Sequence, residues 1–188
     1  MTEHSAPQTI IEVLTSDHEA INAALGAPVV LAENDDGRTA RTELVMDLVR
    51  HFVAEEQYLY PALRTDVDGG APLAEDDFTA ARACESALRR LEAHDADAGE
   101  LAATIADIRQ RFGDHVSHQD DRLFPRLRDA LDRVRLLELG EQALGAEQLA
   151  PTRPRVLAPK GLEANRLAGL VEGFVDRLRD FYTGRGAR

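Results

Sequence analysis

Apolar residues recur every three or four positions along almost the whole chain, and no stretch alternates with period two over a useful length. That spacing lays one apolar stripe along each helix and leaves nothing to build a sheet, so the sequence predicts an all-α fold. Ile10, Ile11, Leu14, His18, Ile21 and Leu25 mark a first helix, ended by Gly26-Ala27-Pro28. Asn34-Asp35-Asp36-Gly37 reads as a turn, after which Leu44, Leu48, His51, Glu55 and Leu59 define a second stripe, limited by Pro61. Asp68-Gly69-Gly70-Ala71-Pro72 is the next loop, and Phe78, Ala81, Cys84, Leu88 and Leu91 face inward from a third helix. Asp97 and Glu100 read as a capping box for a fourth, whose stripe is Leu101, Ile105, Ile108, Phe112, His115 and Gln119. Four helices of roughly 20 residues, each ~30 Å long, suffice for an up-down four-helix bundle with a packed interior.

The bundle is expected over residues 8–145, with a different tail over 146–188. Ala150-Pro151-Thr152-Arg153-Pro154 and Ala158-Pro159 form a Pro-rich linker. Beyond it, Leu167, Leu170, Val171, Phe174, Leu178 and Phe181 suggest an extra C-terminal amphipathic helix, packed back on the bundle or joining a homodimer. Its polar face is mixed in sign, which argues against a membrane surface. A net charge of −12 over 188 residues argues likewise against nucleic acid as a partner. No apolar run approaches the ~20 residues of a membrane-spanning helix. The start, Met1-Thr2-Glu3-His4, lacks the basic and apolar stretch of a secretory signal, so a cytoplasmic location is expected. Cys84, the one cysteine, excludes an internal disulfide and any Cys-rich zinc site.

An internal repeat points to the site. His51-Phe-Val-Ala-Glu55-Glu56-Gln-Tyr58-Leu59-Tyr60-Pro61-Ala-Leu63-Arg64 matches His115-Val-Ser-His118-Gln119-Asp120-Asp-Arg122-Leu123-Phe124-Pro125-Arg-Leu127-Arg128 without a gap, at an offset of 64. Two hairpins related by duplication would face each other and bring His51 and His115 to similar depth. The same offset carries His18 to Ala81 or Arg82, of which Ala81 is on the stripe. His18, His51, Glu55 and His115 thus all stand at core positions. A buried carboxylate must be protonated, paired or bound to metal. One stripe histidine is usually a hydrogen-bonded core residue, and Glu55 has Arg82 as a possible ion-pair partner. Three such histidines with an acid one turn from His51 are instead how helical bundles hold non-haem iron. Tyr58, one turn beyond Glu55, is within reach of such a site.

His18 within Asp17-His18-Glu19, His51-x3-Glu55 running into Leu-Tyr-Pro, and His115 running into Leu-Phe-Pro resemble the hemerythrin-like HHE cation-binding domain. The resemblance covers about residues 8–130, and the tail is similar to that of actinobacterial members. It implies an up-down bundle holding a non-haem di-iron centre, and binding or sensing of O2, nitric oxide or peroxide. Carried over by position, it makes His18, His51, Glu55 and His115 ligands, with Glu55 bridging. Two positions depart from the family. Ala81 stands where the third helix of the family offers a histidine. His94 lies too far along the axis to replace it. Cys84, one turn below Ala81, is within reach of the site, although a structural apolar thiol is the commoner role. Gln119 stands where a second bridging glutamate is usual.

Asp120, five residues after His115, has the His-x4-Asp spacing of oxygen-carrying hemerythrins and is the candidate for the missing carboxylate. A straight α-helix, however, turns it about 140° away from His115. His118, on the face of His115, is the other candidate. With Asp120 bridging, the centre is a di-iron site with an open position. With Asp120 in solvent, His18, His51, Glu55 and His115 remain, enough for a single Fe(II). The competing class is a metal-free helical module for protein–protein contacts. No nucleophile–base pairing, phosphate loop or dinucleotide fingerprint marks a dedicated enzyme.

Overall fold

The computed structural model describes residues 6–92 and 98–150. Among these the chain is helical, with no strand. Helix α1 (Ile10–Gly26) opens on a capping box in which the Thr9 hydroxyl accepts from the Glu12 amide and the Glu12 carboxylate accepts from the Thr9 amide. A short 3-10 turn (Pro28–Leu31) leads to α2 (Asp35–Ala54), whose first N–H groups are capped by Asn34. The expected turn at 34–37 is therefore the start of the helix itself.

Pro61 does not end this rod, contrary to the sequence expectation. Residues Glu55–Leu59 form a π-turn, in which the Tyr60 amide reaches back five residues to the Glu55 carbonyl, and α3 (Tyr60–Asp66) continues beyond it. The wider turn accommodates a proline, which has no N–H to offer a ladder of i to i−4 bonds. Helix α4 (Gly70–Glu92) starts within the predicted loop, with Pro72 in its first turn, where its missing N–H has no intrahelical partner to lose. Helix α5 (Ala98–His118) passes through a second π-turn (Gln119–Leu123) into α6 (Phe124–Ala130). The two π-turns stand 64 residues apart, so the duplication extends to backbone geometry.

Sequence reading missed α7 (Arg133–Leu149), which lies against α1 and α2. Its buried face is built from Leu136, Leu139, Gly140, Ala143 and Ala146, too small and scattered to read as a stripe. At Gly140 a Cβ would come within 2.1 Å of the Gln8 carbonyl oxygen, so the helix approaches the chain leading into α1 on bare backbone. The bundle was expected to end at 145, and α7 runs on to Leu149. Asp97, His94, the Pro-rich linker from Pro151 and the predicted C-terminal helix lie outside the described residues.

Helices α1, α2, α4 and α5 close a ring in chain order, each packing on the next and α5 returning to α1. Short connections make neighbours antiparallel, giving the predicted up-down bundle. Its apolar interior falls into two clusters. One gathers Ile10–Leu14 of α1 with Leu59, Tyr60 and Leu63, Ala74 and Phe78, and Leu123–Leu127. The other gathers Ile21 and Leu25 with Leu44–Val53, Ala81–Leu91 and Leu101–Phe112. On each of the four rods a buried polar residue stands between these two levels: His18, His51 with Glu55, Asp77, and His115 with Gln119. The fold thus presses a polar layer between two apolar plugs. No described helix is long and apolar enough to cross a membrane.

Candidate metal centre

His18, His51, Glu55 and His115 each bring one ligand atom into a group lying within 4.8 Å, and all four side chains are buried. Donors bound at ~2.1 Å on opposite sides of an ion stand ~4.2 Å apart, so well under one ångström of contraction suits the set to a transition metal. His51 near the end of α2 and Glu55 at the start of the π-turn share a face one turn apart, and His115 looks back at them from α5. The Glu55 Oε1 lies 3.0 Å from the His51 Nε2 and 3.0 Å from the His115 Nε2. The His18 ring packs against the His51 ring at 4.8 Å between centroids and the His115 ring at 6.0 Å.

The hydrogen-bond pattern argues for a cation. Both His18 ring nitrogens are buried without a partner, and the His51 Nε2 sits beside Glu55 without the alignment of a hydrogen bond. Imidazole nitrogens left unpartnered in an apolar interior, beside a carboxylate, are arranged as ligands of a shared ion would be. Outside this group each of two imidazoles has a carboxylate behind it. The His51 Nδ1 meets the Asp17 Oδ2 at 3.3 Å, and the His115 Nδ1 lies 3.3 Å from the Asp77 Oδ1. Such carboxylates place the Nδ1 side of each ring away from the group and turn Nε2 toward Glu55.

Electrostatics follow from the same contacts. Burial, with repulsion from His51, pushes His18 down to about 3, so it stays neutral with a lone pair to give. Burial opposes protonation of His51 and His115 as well. For His51, the charge of Glu55 and the bond to Asp17 overcome burial and raise it to about 9. For His115, Glu55 and Asp77 do the same and raise it to about 10. Burial would raise Glu55, but the His115 and His51 charges hold it well below the usual carboxylate range. The pocket therefore holds a carboxylate balanced by protons on imidazoles, which a bound cation replaces.

Asp120 is exposed on the π-turn and lies outside the group. Helical phase, not the His-x4-Asp spacing, decides its direction, and the position facing the centre belongs to Gln119. His118 is half-buried and also outside the group. Cys84 is packed among apolar neighbours, its thiol pushed up to about 12 by burial, and is inert there. Arg82 pairs with Glu85, not with Glu55.

Two buried residues escaped sequence reading. Asp77 continues the α4 stripe one turn before Ala81, a spacing visible in the sequence had the stripe been started before Phe78. Tyr60 reaches the layer: its hydroxyl lies 3.0 Å from the Glu55 Oε2 and 3.2 Å from the Asp77 Oδ2. The π-turn places residue i+5 over Glu55, which a 3.6-residue period misses. Burial, then Asp77 and Glu55, push the phenol well above its usual range, so it keeps its proton.

Residues 9–127 match the family described as the hemerythrin HHE cation binding domain. The chain is similar to an uncharacterized hemerythrin-like protein of Schizosaccharomyces pombe, 22% identical over 168 residues, covering 89% of this chain and 79% of that one. No solved structure matches the chain. With its all-α bundle and its buried His/Glu group that can bind metal, the chain belongs to the hemerythrin HHE cation-binding family.

Proposed function

We propose that the chain is a non-haem iron protein that binds or senses O2 or a related small oxidant, nitric oxide or peroxide. The observation that carries this reading is the convergence of His18, His51, Glu55 and His115 in a dry interior, with imidazole nitrogens left unpartnered. Imidazole and carboxylate donors without thiolate suit iron. When bound, iron would supply one-electron chemistry and an open position for a small ligand. The chain's own part is support. Asp17 bonds His51 and Asp77 stands beside His115, Glu55 would offset part of the ion's charge, and the two apolar plugs keep bulk water away. A lone cysteine buried as a thiol agrees with a reducing compartment such as the cytoplasm.

Metal analysis of protein expressed with added Fe(II) tests the reading. Bound iron is expected at a stoichiometric level, together with ligand-to-metal absorption, and both should fall at least tenfold in His51→Ala while the helical circular dichroism persists. Iron-free protein under those conditions would leave the fold as a helical interaction module.

A further inference from the structure

We infer that the centre takes one ion and not two, because the Gln119 side-chain amide occupies the place of a second cation. The inference rests on the metal-binding reading above and adds the stoichiometry.

Gln119 is fully buried, and its Nε2 lies 2.5 Å from the Glu55 Oε1, 2.7 Å from the Asp77 Oδ2 and 3.3 Å from the His115 Nε2. Two carboxylates and an imidazole thus converge on one point beside the His18–His51–Glu55–His115 group. At that point stands an NH2, whose two hydrogens donate to the two carboxylates. Turning the amide over would press the Oε1 against both carboxylates, an arrangement that needs a proton or a cation between them. Tyr60 closes the same side, its hydroxyl donating toward the Glu55 Oε2 and toward the Asp77 Oδ2 that Gln119 also meets.

Charge and symmetry agree with this reading. Gln119 is the repeat partner of Glu55, 64 residues on, so the duplication sets an amide opposite a carboxylate. The acids that Gln119 itself meets are Glu55 and Asp77, and α4 brings no imidazole to this side, Ala81 standing there among apolar neighbours. One divalent ion is balanced by those two carboxylates. A second would meet the Gln119 amide where it needs a further carboxylate. Asp77 consequently orients Gln119 and His115 and is not a ligand.

Anaerobic Fe(II) titration of the full chain, with bound iron counted per chain and electron paramagnetic resonance recorded after oxidation, tests this. The wild type should saturate at one iron and show the signal of an isolated high-spin ferric ion. Gln119→Glu, which replaces the amide with a carboxylate, should saturate at two and lose that signal through coupling between the ions. Asp77→Asn should keep one iron. Two irons in the wild type would overturn the inference and leave the iron reading standing, whereas no iron at all would remove both. A folded Gln119→Glu that still takes one iron, or an Asp77→Asn that takes none, also overturns it. Should Gln119→Glu fail to fold, the wild-type count and Asp77→Asn decide alone.

Discussion

Glu55 is the residue on which the buried layer turns, since His51, His115, Gln119 and Tyr60 all address it. Each of these neighbours either carries a proton or donates one, and together they keep a fully buried carboxylate ionised. Removing one donor exposes what it was offsetting. Tyr60→Phe should cost the metal-free protein about 1–3 kcal/mol in urea denaturation, because a buried acceptor loses its hydroxyl. The same variant should still bind iron, as Tyr60 is no ligand. The four ligand candidates were legible because each is a polar residue on an otherwise apolar stripe. Asp77 sat next to Asp76 at the edge of a loop and was hidden by where the stripe was taken to begin. Tyr60 was hidden by backbone geometry, which no side-chain periodicity reports.

The elements that depart from regular helix are the ones that build the site. Each π-turn begins on the residue facing the layer, Glu55 or Gln119, and is followed by a proline two residues after it ends. The extra residue per turn aims the following segment differently, which is why Tyr60 faces inward. Helix α7 packs on α1 and α2 and brings the part-buried Glu147 into the field of Asp17, the residue that bonds His51. Burial, then the charge of Asp17, raise the Glu147 carboxyl to about 8. The folded chain therefore keeps a proton that the unfolded chain releases above its ordinary value of 4.5. That contribution to stability is fully present below 4.5 and is lost as pH rises through about 8. Thermal melts across this window should show Glu147→Gln falling less steeply with pH than the wild type. An unchanged slope would mean that the carboxyl ionises as it does in water. Sequence periodicity found the four rods of the bundle but not α7, whose contact with α1 depends on Gly140 and on alanines.

At the scale of the whole molecule the bundle is two apolar plugs with a charged layer between them, and the layer is the part that folding alone does not favour. Burying imidazoles without partners costs free energy, and a cation that satisfies them returns it. The architecture and the repeat were legible in the sequence, because helical stripes and a gapless offset survive without coordinates. That the four rods place their polar residues at one level follows only from the antiparallel packing. A metal-binding native state must gain stability from the ion, by ~2.7 kcal/mol at a free concentration one hundred times the dissociation constant. Thermal denaturation of the full chain with and without Fe(II), kept anaerobic, reads this directly. The melting temperature should rise with iron in the wild type and stay fixed in His51→Ala. No rise in the wild type, or an equal rise in both, would contradict an ion held by His18, His51, Glu55 and His115.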